Sequence, residues 1–186
     1  MRYFSLRGFH PRRSSRTRLG AAGVFALLAL GAGPGAALTV EGEGCAGGAW
    51  PLDRARAALD GATERAVSGA RLPAAEAAVI LQLVPLKEAG LPYPPTRLPA
   101  DGGTFAGFLL VPAPPASGRL EVSLSQGGWI DLMQDGKSLT PVAFTGVRGC
   151  PGLRKSVRFD VAPTPLVLQL SGVAGDHVIV AVSSVP

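Results

Sequence analysis

Four groups of residues in this sequence carry chemical potential. Trp129 and Asp131 stand two apart, and Asp135 follows four residues after Asp131. Carboxylates at that spacing offer an acid and a base, or oxygen ligands for a calcium ion, and the neighbouring indole offers a flat platform for a sugar ring. Arg148, Arg154, Lys155 and Arg158 make a basic run. Such a run suits an anionic ligand or an acidic partner, and it equally suits a solvated strand face that blunts edge pairing. His177 is one of two histidines, His10 being the other, and Cys45 and Cys150 are the two cysteines.

None of these groups completes a catalytic motif. Hydrolytic triads and histidine-rich metal sites need more imidazole than His177 provides. Asp135 is accounted for by the turn it shares with Gly136. The residues therefore give no catalytic group, no metal ligand and no cofactor, and point away from an enzyme. What remains is a possible binding surface, formed by Trp129, Asp131 and Met133 on one strand face or by Arg154, Lys155 and Arg158 on another.

The elements that must position these residues read as β-strands. Residues 129–133 and 138–144 flank Asp135-Gly136, a dipeptide that supplies the positive φ angles of a tight hairpin. Ile130 and Leu132 alternate with Trp129, Asp131 and Met133, so the two sets face opposite ways. Residues 118–125 alternate likewise, with Leu120, Val122 and Leu124 inward and Glu121, Ser123 and Ser125 outward. In 154–161, Val157, Phe159 and Val161 point inward and Arg154, Ser156, Arg158 and Asp160 outward. Further strands are expected at 77–84, 104–111, 166–171 and 177–182. The count is about eight, enough for two packed sheets about 10 Å apart.

The connections follow from proline and glycine. Residues 86–103 hold Pro92, Pro94, Pro95 and Pro99 and read as an extended surface connection. A glycine-punctuated loop with Gly146, Gly149 and Gly152 is expected after Phe144. Before the sheets, residues 38–50 read as an extended arm. A helix starts near Pro51 and Asp53, with Leu52, Ala55, Ala58 and Leu59 on one face, and 62–70 reads as a second short helix or a loop. The expected fold is mainly β, an antiparallel β-sandwich of jelly-roll-like type preceded by one or two short helices.

The N-terminus carries an address. Residues 1–18 hold six arginines and no acid, 19–32 is an apolar run without charge, and Gly35-Ala36-Ala37 provides small residues for a cleavage site. This is the pattern of a secretory signal peptide, giving a leader at 1–37, an arm and helix at 38–76 and a β-domain at 77–186. The apolar run is shorter than the roughly 20 residues of a spanning helix, so membrane contact is expected only through an uncleaved leader.

Six of the 18 basic residues and none of the 13 acids lie in that leader, which leaves 12 against 13 and a net charge of −1. The basic pI belongs to the leader, and nucleic acid is excluded as a partner. In an exported chain the even cysteine pair implies a Cys45–Cys150 disulfide. Closing so long a loop stabilises by about 4 to 5 kcal/mol in the chain-entropy account. The location is periplasmic or secreted.

Three stretches carry a resemblance: Gly-Gly-Trp-Ile-Asp-Leu-Met-Gln-Asp-Gly-Lys at 127–137, Gly-Cys-Pro-Gly-Leu-Arg-Lys-Ser-Val-Arg-Phe at 149–159 and Leu-Val-Leu-Gln-Leu-Ser-Gly at 166–172. They resemble a group of short exported proteobacterial proteins of unknown role, some labelled homogentisate 1,2-dioxygenase. The pattern is also similar, more loosely, to pre-peptidase C-terminal domains. The first label implies an iron-dependent dioxygenase that cleaves a catechol-type ring. The residues themselves favour a non-catalytic binding or accessory module with a protein or glycan partner, and a third reading is an envelope structural protein.

Overall fold

Alternation at period two becomes two β-sheets in the computed structural model, which describes residues 39–97 and 104–186. The signal-peptide assignment at 1–37 lies outside the described residues. In chain order come β1 (Thr39–Glu43), α1 (Asp53–Asp60), β2 (Arg65–Val67), β3 (Ala77–Gln82), β4 (Val84–Pro85), β5 (Phe105–Val111), β6 (Gly118–Leu124), β7 (Trp129–Gln134), β8 (Lys137–Ser138), β9 (Ala143–Arg148), β10 (Lys155–Val161), β11 (Leu166–Val173) and β12 (His177–Ser184). One sheet has the order β1-β9-β10-β6-β12-β3-β2 and the other β4-β5-β11-β7-β8.

Both sheets feed one apolar core. Val79, Leu81, Leu120, Val122, Leu124, Val157, Phe159, Val178 and Val180 come from the first, and Leu109, Val111, Ile130, Leu132, Leu166, Leu168 and Leu170 from the second. These are the residues that period-two alternation places on a dry face. Phe159, Leu109, Leu168 and Leu170 are wholly buried.

Four local expectations are corrected. The hairpin turn forms, with Asp135 at φ 50° and Gly136 at φ 75°, but its second arm is split. Leu139 still donates to Leu132 O at 2.8 Å, whereas Val142 already donates to Arg158 O at 2.9 Å in the other sheet. The crossing falls at Thr140-Pro141, where proline has no N–H to continue the ladder. Residues 143–148, expected to include a glycine loop, instead form β9 between β1 and β10. Residues 65–67, expected in a second helix or loop, form β2. The arm at 39–43 is a strand too: β1 runs parallel to β9 and β2 runs parallel to β3, so the pairing is not wholly antiparallel.

The outer face of the seven-stranded sheet is covered. Leu52, Ala55 and Leu59 pack with Val147, Cys150, Leu153 and Ala181 into a second apolar cluster. Glu121 and Ser123, expected to face solvent, are therefore buried, and Ser123 Oγ and Ser156 Oγ meet at 2.6 Å. Leu52 and Leu59 are the anchors of α1, Asp53 favours its positive N-terminal end, and Gly61 N–H closes it on Ala57 O at 3.0 Å. The Cys45–Cys150 disulfide is present and joins points 105 residues apart. Among the described residues no helix is long and apolar enough to cross a membrane.

Candidate functional site

The site grows from Asp131. On β7, Ile130 and Leu132 enter the core, which turns Trp129, Asp131 and Met133 to the other side, as alternation requires. That side is not open. The proline-rich segment returns across it and is held by two side chains of the sheet. Gln169 accepts from Tyr93 N–H at 2.8 Å and donates to Tyr93 O at 3.1 Å. Asp131 accepts from Thr96 N–H at 3.2 Å and from the Thr96 hydroxyl. Extended, proline-dense chain has no ladder of its own, so buried polar side chains of the neighbouring sheet hold it instead. Asp131 is left 5% exposed, Met133 7% and Gln169 1%.

Trp129 closes this network. Its indole Nε1 donates to Thr96 Oγ1 at 2.7 Å and to Asp131 Oδ1 at 3.1 Å. Its ring lies 5.2 Å from the Arg97 guanidinium and 4.8 Å from Lys155 Nζ. An indole engaged by two of the protein's own cations is a poor sugar platform, and that expectation yields to one about charge.

Lys155 belongs with Val157 and Phe159 by parity, unlike its neighbours Arg154 and Arg158. It sits at the start of β10 opposite Leu124 and Gly146. Its Nζ donates to Gly128 O at 2.8 Å and lies 5.0 Å from the Phe144 ring. No carboxylate pairs with it among the described residues. Loss of water lowers its pKa from the ordinary lysine value to about 8, Arg97 and Arg154 push the same way, and Asp131 opposes them.

Beside Lys155 opens a cleft of about 180 Å³ lined by Glu41, Phe144, Arg154 and Lys155 with Gly127, Gly128 and Gly146. Arg154 donates to Val147 O at 2.9 Å and to Glu41 at 3.1 Å, and Arg148 reaches the other Glu41 oxygen at 2.7 Å. The hydrogen bond from Arg154, then the charge of Arg148, holds the Glu41 carboxyl below its usual range. Gly146 keeps this crossing open: a Cβ there would lie 3.2 Å from Glu41 Cγ and 3.3 Å from an Arg154 nitrogen.

The structure thus joins residues from the two proposed faces and divides each of them. Trp129, Asp131, Lys155 and Arg154 come together, with Thr96, Arg97, Phe144 and Glu41 added. Met133 is buried. Arg158 points to the helix side, where it pairs with Glu121 at 2.7 Å and lies 4.0 Å over Trp50. Asp135 accepts from the Thr164 hydroxyl at 3.3 Å and has no part in the cluster. His177 is exposed and pairs with Asp176 at 2.9 Å on the rim of a separate open groove. Among the described residues no three His, Cys, Asp or Glu side chains lie together as metal ligands.

The added residues had little signal. Arg97 and Thr96 lie in a segment without periodicity, and Glu41 in a glycine-rich stretch read as an extended arm. The inward parity of Lys155 was the one available sign. Comparison with known proteins lends no function: no family model, no curated protein and no solved structure matches the chain.

Proposed function

We propose that this chain is an exported, non-catalytic β-sandwich module, periplasmic or secreted, that binds a carboxylate-bearing protein or glycan partner at the Lys155 cleft. One observation carries the binding reading. Lys155 and Arg97 converge on Trp129 beside a cleft that also holds Arg154, while the nearby carboxylates are already engaged. Asp131 serves Thr96 and Trp129, and Glu41 serves Arg148 and Arg154. A site with more cation than available carboxylate is completed by an anion.

The strand order supports a jelly-roll-like sandwich. With the eight strands of six or more residues numbered from one to eight in chain order, the larger sheet reads 5-6-3-8-1 and the smaller 2-7-4. That order fits a jelly-roll arrangement in which the fifth strand lies in the larger sheet. The disulfide and the leader pattern support export. No observation favours the ring-cleaving or the purely structural reading over this one.

Melting temperature tests the proposal. The protein is expressed as the full chain and heated with trigalacturonate, with triglutamate, or with a neutral trisaccharide of glucose. A rise with either acidic trimer that is absent with the neutral one and lost in Lys155→Met is expected. Equal curves with all three would overturn the reading.

A further inference from the structure

Lys155 differs in surroundings from the other two lysines outside the leader, Lys87 and Lys137, which are both exposed. Its amine is flanked by Trp129 and Phe144, bonds a single backbone oxygen, Gly128 O, and faces no carboxylate within ion-pair distance among the described residues. The cleft at its side is about 180 Å³, room for a molecule of a few heavy atoms. Across that cleft Arg154 uses two of its five N–H donors on Val147 O and Glu41, so others are left for an incoming carboxylate. A half-buried amine without a carboxylate partner and a guanidinium with spare donors, on one small cleft, are the complement of a carbonyl next to a carboxylate.

We propose that Lys155 is a covalent, reversible capture site for a small oxo acid, its amine condensing with the carbonyl carbon while Arg154 holds the carboxylate. This rests on the reading of the Lys155 cleft as an anion site. The amine lone pair forms a C–N bond as the carbonyl π pair moves to oxygen, and one proton passes through solvent from that nitrogen to the oxygen. Loss of that hydroxyl as water, with a proton given up by nitrogen through solvent in the open cleft, leaves a C=N bond. Water reverses the step, so no oxidant or reductant is required.

Two influences on the amine oppose each other. The charge of Asp131, the rings and Gly128 O favour the ammonium form, whereas lost hydration and the neighbouring Arg97 and Arg154 favour the free base. The second set outweighs the first, since the group titrates at about 8, and the ammonium stays the major form at neutral pH. At neutral pH its free-base population exceeds that of an ordinary lysine by on the order of 10²-fold. Lower basicity gives back part of this gain in nucleophilicity.

The test is a labelling map of the full chain. Glyoxylate and cyanoborohydride at pH 7.5 convert each imine to a stable carboxymethyl-lysine, hydride adding to the imine carbon, and peptide mass analysis follows Lys87, Lys137 and Lys155 in one sample. Lys155 is expected to label about tenfold faster than the other two, with a rate that levels above about pH 8. Acetaldehyde, which lacks the carboxylate, is expected to lose most of that preference, as is glyoxylate with Arg154→Gln. Labelling of Lys155 no faster than Lys87 and Lys137 would overturn the proposal. If the acidic trimers still raise the melting temperature in that case, the anion site stands without covalent capture. Selective labelling without any effect of the trimers would instead overturn the partner reading.

Discussion

Lys155 shows how one side chain can be legible in type and hidden in role. Its neighbours Arg154 and Arg158 make a basic run in sequence, yet parity sets Lys155 apart from both, and of the three only Lys155 stacks on Trp129. Its titration gives a prediction. The folded value near 8 lies below the ordinary lysine value of 10.5. Between them the unfolded chain holds more protons than the folded one, so stability rises with pH across that window and the cost is fully present below it. Urea unfolding from pH 7 to 10.5 is expected to show this rise, at most about 3 kcal/mol, and Lys155→Met to flatten it. Asp131 gives a second prediction. Removing a buried carboxylate that accepts from the Thr96 N–H and hydroxyl strands those donors, so Asp131→Ala should cost about 2 to 3 kcal/mol. Limited proteolysis should then cut within 86–97 first. The Trp129-Asp131 spacing singled these residues out, but nothing local could show that Thr96 comes back to cover them.

At the scale of elements, strands with strict alternation were readable and the edges were not. β6, β7, β10, β11 and β12 announce themselves because one dry face imposes period two on their sequences. β1 and β2 do not, since each is short, pairs on one side and is rich in small or charged residues. The split of 138–144 between sheets turns on one residue, Pro141, whose effect on a ladder can be stated in advance but whose direction of crossing cannot. β1 matters to the site because it brings Glu41 to the cleft, and its seating depends on Gly42. A Cβ on Gly42 would fall 1.7 Å from Gly47 O, where the turn at Cys45–Gly47 folds back over the strand. Backbone cannot yield as a side-chain tip can. Gly42→Ala is therefore expected to destabilise by about 2 kcal/mol or more in urea unfolding, and to weaken any ligand that needs Glu41 and Arg154 in place.

Among the described residues one covalent link and two apolar layers hold the fold. The inter-sheet core was visible as a list of alternating residues. The second layer was not, because it needs α1 to land on Ala78, Ile179 and Ala181, residues that look like the solvent side of their strands. Cys45–Cys150 fastens that layer and β1 together. Cys45→Ala with Cys150→Ala is expected to lower stability by about 2 to 5 kcal/mol and, through β1, to loosen the cleft. The most direct measurement of the central claim is a map of amide shifts on uniformly labelled protein titrated with the acidic trimer that raises its melting temperature. The account predicts shifts concentrated at Glu41, Gly127 to Trp129, Phe144 to Gly146 and Arg154-Lys155, abolished by Lys155→Met. Shifts centred on the Arg65 and His177 groove, or none at saturating ligand, would contradict it.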